Sequence, residues 1–176
     1  MEDVSIVLSG AAGLGIQTVE NIRVKVFKHS GYNVFASKEY MSRVRGGTNS
    51  TEIRVSSERV SAYVDRIDIL IPLNAGAFKH VERRVSDSTI ILGDKEHLER
   101  ISGLVDVPLF KMAEGIGGPI YSNVIAAGVV SGLLRVELKI LEDYISRLFA
   151  GKGEDVVKKD KQAARDGFAI GRDLLD

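Results

Sequence analysis

Apolar positions come in short runs through the first two thirds of the chain and at helical spacing through the last third. Val4 to Leu8 is an apolar run bounded by Ser9-Gly10, the pattern of a buried parallel strand. From Ile16 to Ser30 the period changes. Ile16, Val19, Ile22, Val26 and Phe27 recur three or four apart, which predicts an amphipathic helix, and Gly31 ends it as a left-handed cap. Tyr32 to Ala36 reads as a second strand, giving a βαβ-type opening. Thr51, Ile53 and Val55 alternate with Glu52 and Arg54, the mark of a half-exposed strand. Ser56-Ser57-Glu58 predicts a turn, with Arg59 to Tyr63 returning as a hairpin partner. Asp68 to Leu73 and Thr89 to Leu92 read as buried strands. Phe78 to Val85 reads as a short helix, and Leu104 to Leu109 as an edge strand ending near Pro108.

The last third is helical throughout. Asn123 to Leu134 is apolar around most of its circumference, which predicts a buried helix. Glu137 to Phe149 places Leu138, Leu141, Ile145 and Leu148 on one face. Asp155 to Leu175 predicts a long charged helix with Val156, Val157, Ala163, Ala164 and Phe168 inward. No linker, repeat or low-complexity stretch interrupts residues 1–176, so the expectation is a single domain. The expected fold is α/β and Rossmann-like, in three layers, with a mixed, mostly parallel sheet flanked by helices.

Composition narrows the function. Hydrophobic residues make up 44% and charged residues 27%, and 24 Lys plus Arg balance 24 Asp plus Glu. That profile is globular, and zero net charge argues against a nucleic-acid partner. No apolar run is long enough to cross a bilayer. The opening Met-Glu-Asp lacks the basic segment of a signal peptide, so the expected compartment is the cytoplasm. There is no cysteine, which removes disulfides, thiolate nucleophiles and iron–sulfur ligation on this chain. His29, His80 and His97 stand at no metal-ligand spacing and read as surface histidines.

Two glycine-rich stretches carry the chemistry. Gly10-Ala-Ala-Gly-Leu-Gly15 leaves the first strand, where backbone amides can approach a phosphate or a neighbouring backbone. Gly10 and Gly15 have the outer spacing of a P-loop, but Ile16-Gln17 replaces the Lys-Ser/Thr that would hold terminal phosphates and magnesium. Gly10, Gly13 and Gly15 also miss the dinucleotide spacing, and Glu39 is a late candidate for the acidic residue ending strand two. Either the glycines touch a ligand or they only permit a tight turn. In Ser42-Arg-Val-Arg-Gly-Gly-Thr-Asn49, Arg43 and Arg45 flank Val44 and would point the same way if extended. With Gly46 and Gly47 they form an anion clamp, a subunit-docking loop or a solvated loop. Asn74 follows a strand and Asn123 opens a helix, where capping is an alternative to a ligand role. Tyr40 and Tyr121 read as packing residues. No Ser-His-acid set, carboxylate pair or metal cluster assembles.

These stretches, in order, resemble the gamma subunit or gamma domain of the 2-oxoacid:ferredoxin (acceptor) oxidoreductases, which oxidise pyruvate, 2-oxoglutarate, branched-chain 2-oxoacids or indolepyruvate. The resemblance rests on Gly10-Ala-Ala-Gly-Leu-Gly-Ile16, Lys38-Glu-Tyr-Met-Ser-Arg-Val-Arg-Gly-Gly47 and Asp68-Ile-Leu-Ile-Pro-Leu-Asn74. It continues through Thr89-Ile-Ile-Leu-Gly-Asp94, Asn123-Val-Ile-Ala-Ala-Gly128 and Ala163-Ala-Arg-Asp-Gly-Phe168. Departures are Leu14 where the family commonly has Gln, Ala12 where it often has Gly, and Asp160 where it usually has Asn. The Lys-Glu-Tyr and Ser-Arg-Val-Arg-Gly-Gly stretches look closer to the form fused ahead of an alpha subunit, which often has Pro at Met41, so a stand-alone subunit and an excised domain both remain open.

The resemblance implies a division of labour. Alpha and beta subunits would hold thiamine diphosphate and magnesium, iron–sulfur clusters on partner segments (a ferredoxin-like delta among them) would carry electrons, and coenzyme A would take the acyl group. The gamma part would bind no cofactor alone and would contribute to assembly and the coenzyme A surroundings, through Gly10, Gly13, Gly15, Arg43, Arg45, Gly46, Gly47 and Asn74. A homodimer is compatible with this reading, a membrane partner is not expected, and the alternative is a free-standing nucleotide-binding protein using the Gly10 to Gly15 turn.

Overall fold

The structure, a computed structural model, describes residues 3–11, 24–39, 48–99 and 101–174. Six strands form one sheet in the order β2-β3-β1-β4-β5-β6. They are β1 (Asp3–Ala11), β2 (Asn33–Glu39), β3 (Thr48–Ser56), β4 (Ile69–Pro72), β5 (Ile90–Gly93) and β6 (Leu104–Asp106). β1 pairs parallel with β4, β4 with β5 and β5 with β6, while β3 runs antiparallel to both β1 and β2. Five strands therefore share one direction and β3 opposes them. Compared with the doubly wound order 3-2-1-4-5-6, the second and third strands have exchanged places. The opening β1-helix-β2 unit is parallel as expected, but β3 is inserted between its strands.

Strand alternation sorts the core into two layers. Ile6, Leu8, Ile53, Val55, Ile69 and Ile71 point to a thick helical layer that includes Val26 and Phe27 of α1 (residues 24–29). Val7, Leu70 and Ile91 point the other way, onto Phe78 and Val81 of α2 (Ala75–Val81). The thick layer also receives α3 (Leu109–Ile116), α4 (Ser122–Leu133), α5 (Leu138–Phe149) and α6 (Glu154–Asp173). Gly31, at φ +87°, follows α1 in the left-handed region that the sequence assigns to it.

α4 is buried at every position, and its contact with α6 is made without side chains. Gly128 and Gly132 on α4 meet Gly167 and Gly171 on α6. A methyl group at Gly128 would collide with the Ala164 carbonyl oxygen and stand 2.9 Å from the Phe168 nitrogen. At Gly167 it would collide with the Ile125 carbonyl, and at Gly171 with the Val129 carbonyl. Gly128 opposes Ala164 and Gly132 opposes Phe168, so the two helices advance in the same direction. Two glycines four apart on each helix make a side-chain-free strip, which lets the backbones touch.

Several expectations change. Leu104 to Leu109 is strand only as far as Asp106, and Leu109 opens α3, because Pro108 has no N–H to extend a ladder and sits at the helix N-cap. Arg59 to Tyr63 forms no strand. That segment is held by guanidinium groups instead: Arg54 Nη1 donates to Ala62 O (3.1 Å) and Arg84 donates to Val64 O (3.1 Å) and Asp65 O (2.8 Å). On α5, Phe149 rather than Leu148 continues the Leu141–Ile145 row, and Leu148 is exposed. On α6 the buried residues are Asp160, Ala163, Ala164, Gly167 and Gly171, while Val156, Val157 and Phe168 are only half-buried. The predicted Ile16 to Ser30 helix lies partly outside the described residues, as do Leu14, Tyr40 and Met41.

Two predictions follow from the seam. Gly167→Ala should destabilise the fold by about 2 kcal/mol or more, since overpacking a rigid backbone contact outweighs the gain in helix propensity. Gly115→Ala, on the exposed face of α3 with nothing within 4 Å, should instead be neutral or stabilise by roughly 0.5–1 kcal/mol. Urea midpoints separate the two. Burial pushes the Asp160 carboxyl up to about 6 from an ordinary 3.8. The folded state therefore binds that proton more tightly than the unfolded chain, and stability falls as pH rises between those values, by about 3 kcal/mol in all. Asp160→Asn should stabilise by ~1–3 kcal/mol near pH 8 and have no effect near pH 4, read from denaturation curves at the two pH values.

Candidate functional site

The chain leaves β1 toward α1 on the thick side of the sheet and leaves β4 toward α2 on the thin side. β1 and β4 are parallel neighbours whose next helices in the chain lie on opposite faces of the sheet. This is a topological switch point, where open α/β sheets take their ligands.

Gly10 and Asn74, the two described residues among the sequence-predicted site positions, lie together at this edge. Ser9 pairs with Pro72, and Leu73 N donates to Ser9 O (2.8 Å), so β1 and the β4 exit are locked in register. A side chain at Gly10 would stand 3.0 Å from Leu73 Cδ1, and the missing Cβ makes room for that leucine. Asn74 is the N-cap of α2: extended at φ −159°, it accepts from Ala77 N on Oδ1 (2.8 Å). The buried Ser9 Oγ donates to Ala77 O (3.3 Å), tying the same helix turn to β1.

Gly13, Gly15, Arg43, Arg45, Gly46 and Gly47 lie outside the described residues. The residues that flank their segments do not. Ala11 pairs with Thr48 and Glu39 with Ser50, so the described ends of both segments meet at the edge that carries Gly10 and Asn74. Glu39, the late candidate for a ribose acceptor, makes contacts within the protein. Its Oε2 lies 2.9 Å from His80 Nε2 and accepts from Ser50 Oγ (3.4 Å). His80 thus differs from the solvated surface histidine expected of it.

Beside this edge, on the thin face, is a cleft of about 420 Å³ lined by Ser37, Glu39, Glu52, Tyr63, Asp65 and Arg84. Arg84 is a binding residue by type, but its guanidinium is already spent on the protein: two bonds to Glu52 (2.8 and 3.0 Å) and the two carbonyls that hold the 64–65 backbone. Sequence reading missed this cluster because Glu52 lies 32 positions from Arg84 and no local spacing links them. Asn123 is also corrected. It does not cap α4, since Tyr121 holds that position. Asn123 is 2% exposed, with Oδ1 unpartnered among the described residues. Tyr121 is a buried packing residue, as expected.

The family model for pyruvate ferredoxin/flavodoxin oxidoreductase matches residues 5–170. The chain belongs to this family. It is 26% identical over 171 residues to 2-oxoglutarate synthase subunit KorC of Archaeoglobus fulgidus, covering 97% of this chain and 89% of KorC. It spans only 12% to 33% of the length of other curated relatives in the same group. Two solved structures share the fold. The gamma subunit of a keto/oxoacid ferredoxin oxidoreductase from Geobacter sulfurreducens superposes with a TM-score of 0.78 at 19% identity, over 98% of this chain and 99% of that one. The 2-oxoglutarate:ferredoxin oxidoreductase of Magnetococcus marinus, solved with 2-oxoglutarate, coenzyme A and succinyl-CoA, superposes at 0.88 and 23% identity, over 99% of this chain and 32% of that one. The resemblance to the gamma component is thereby borne out, and the free-standing nucleotide-binding alternative finds no support. No helix among the described residues is long and apolar enough to cross a membrane.

Asn74→Ala should cost about 1 kcal/mol of stability through loss of the α2 cap, whereas Asn74→Asp should keep most of it; thermal or urea unfolding of the two variants distinguishes them.

Proposed function

We propose that this chain is the gamma component of a thiamine-diphosphate-dependent 2-oxoacid:ferredoxin (acceptor) oxidoreductase, and that the reacting groups belong to its alpha and beta partners. The observation that carries this reading is the family match over residues 5–170, supported by end-to-end similarity to KorC. The donor chemistry of the chain agrees. With no cysteine in its sequence it cannot ligate an iron–sulfur cluster, so electron transfer is assigned to other subunits, a ferredoxin-like delta among them.

Within that assembly, the carboxyl edge of the sheet is the surface we assign to partner subunits and to the coenzyme A route. Gly10, Gly13 and Gly15 would bring backbone N–H groups to an anion. Arg43 and Arg45, with Gly46 and Gly47 beside them, would add guanidinium donors for a phosphate or carboxylate. Asn74 would hold the α2 turn in place behind them. The described groups at this edge are tied into backbone contacts, which suits a surface that binds and positions more than one that moves protons.

Reconstitution tests the assignment. The isolated chain should show no 2-oxoacid oxidation, and adding alpha, beta and ferredoxin-like partners should give coenzyme-A-dependent turnover. Replacing both Arg43 and Arg45 by Ala should then raise the KM for coenzyme A or weaken assembly by about tenfold or more, the loss of two charge-assisted contacts. A partner complex equally active without this chain would refute the assignment.

A further inference from the structure

At the head of the α4–α6 seam, away from the Gly10–Asn74 edge in sequence and lining, lies a cavity of about 110 Å³. Its polar lining comes from Asn123 on α4 and Asp160 on α6. Phe149 and Tyr121 supply apolar walls, Lys152 stands at the side, and Ile120, 71% exposed, lies at the rim. Asn123 Oδ1 is fully buried with no hydrogen-bond donor among the described residues. The carboxyl of Asp160, a residue 4% exposed, lines the same space. Buried polar atoms are almost always satisfied, and leaving one unpaired costs about 1–3 kcal/mol. One such atom, beside a buried carboxyl in a space large enough for several non-hydrogen atoms, points to an occupant.

The charges decide its chemistry. Among the charged groups around Asp160, the one that bears on it is Lys152, from the turn that follows α5. α4 brings no charge to the site, α5 contributes Phe149, and the 119–121 turn contributes the Tyr121 phenol. On α6 itself Lys159 is paired with Asp155 (2.9 Å). A cation entering beside Lys152 would meet like charge. An anion, which has no hydrogen to donate, would leave the buried acceptor Asn123 Oδ1 unpaired. A neutral group offering both a donor and an acceptor meets neither obstacle.

We propose that this cavity is a binding site for a carboxamide, whose N–H donates to Asn123 Oδ1 while its carbonyl faces the Asp160 carboxyl and its stem lies along Phe149 and Ile120. The group belongs either to an Asn or Gln side chain of a partner subunit or to a small amide. Because the bound carbonyl needs the protonated carboxyl, binding is accompanied by proton uptake and tightens as pH falls.

Propionamide is the probe, titrated into the intact chain while NMR follows the Asn123 side-chain amide and the Asp160 carboxyl carbon. Expected are saturable shifts confined to the cavity residues, roughly tenfold or more tighter near pH 5 than near pH 8, with the Asp160 midpoint moving upward on binding. Asn123→Leu should abolish the shifts. Asp160→Asn, which keeps a donor, should retain binding and lose its pH dependence, so a folded variant reports on the site whichever way the first behaves. With alpha and beta partners bound, exclusion of propionamide identifies a partner side chain as the natural occupant, and retained binding identifies a free amide. Absence of binding at either pH, tighter binding of n-propylammonium than of propionamide, or a crystal structure of the soaked protein with water alone in the cavity would each overturn the proposal.

Discussion

The α4–α6 contact is the constraint on which the rest of the molecule depends. α4 has no polar face to turn toward water, so it must be covered on every side. The sheet covers one side. α6, although strongly charged along its outer surface, covers another only because Gly167 and Gly171 remove the side chains that would hold the two backbones apart. The approach is close enough that dispersion between backbones replaces ordinary side-chain interdigitation. It also fixes connectivity. Two helices lying side by side in the same direction cannot be joined by a tight turn, and α5 is the crossover that returns the chain, sealing the remaining side with Leu141, Ile145 and Phe149.

The same asymmetry shapes the edge that carries Gly10 and Asn74. α1 and the α3–α6 group occupy one side of the sheet and α2 the other, so the helices that follow the parallel neighbours β1 and β4 lie on opposite faces. Among the described residues, this edge carries Gly10 pressed against Leu73, Asn74 capping α2, and the ends of the two glycine-rich segments. The adjoining thin face carries the polar side chains of β1 and β3, and these are absorbed by paired charges. Arg54 holds Asp3 with two hydrogen bonds (2.8 and 3.0 Å) and pulls that carboxyl below its ordinary range. Arg66 bridges Asp3 and Asp68, and Arg84 grips Glu52. These pairs fasten the 57–68 segment to the sheet.

Much of this was legible because the physics is local. Val4–Leu8, Asp68–Leu73 and Thr89–Leu92 are runs that only a strand buried on both faces would use, and strands cover most of each. Gly31 announced its positive φ. The candidate site was legible only in outline. Gly10 and Asn74 were chosen as punctuation after strands, and pairing brought them to one edge. Elsewhere the local signal misled. Val105 and Val107 next to Pro108 look like the end of a strand, and the proline is instead the threshold of α3. Asn123 has the chemistry of a cap but sits inside the first turn of α4, turned toward α6 and Asp160. The Gly128-xxx-Gly132 and Gly167-xxx-Gly171 spacings stood in plain view, yet each is meaningful only beside the other, 39 positions away.

By itself, then, the sequence determined most of the elements and their order, though not α3, together with the α/β class and, through motifs distributed along the whole chain, the kinship with the oxidoreductase gamma components. Each of these depends on residues near one another in the chain, where periodicity and turn chemistry act. Tertiary structure alone decided that β3 would enter between β1 and β2, that two glycine strips would face each other, and that Asn123 and Asp160 would line one cavity. Those outcomes depend on which distant surfaces exclude water from one another, a property that no single segment carries.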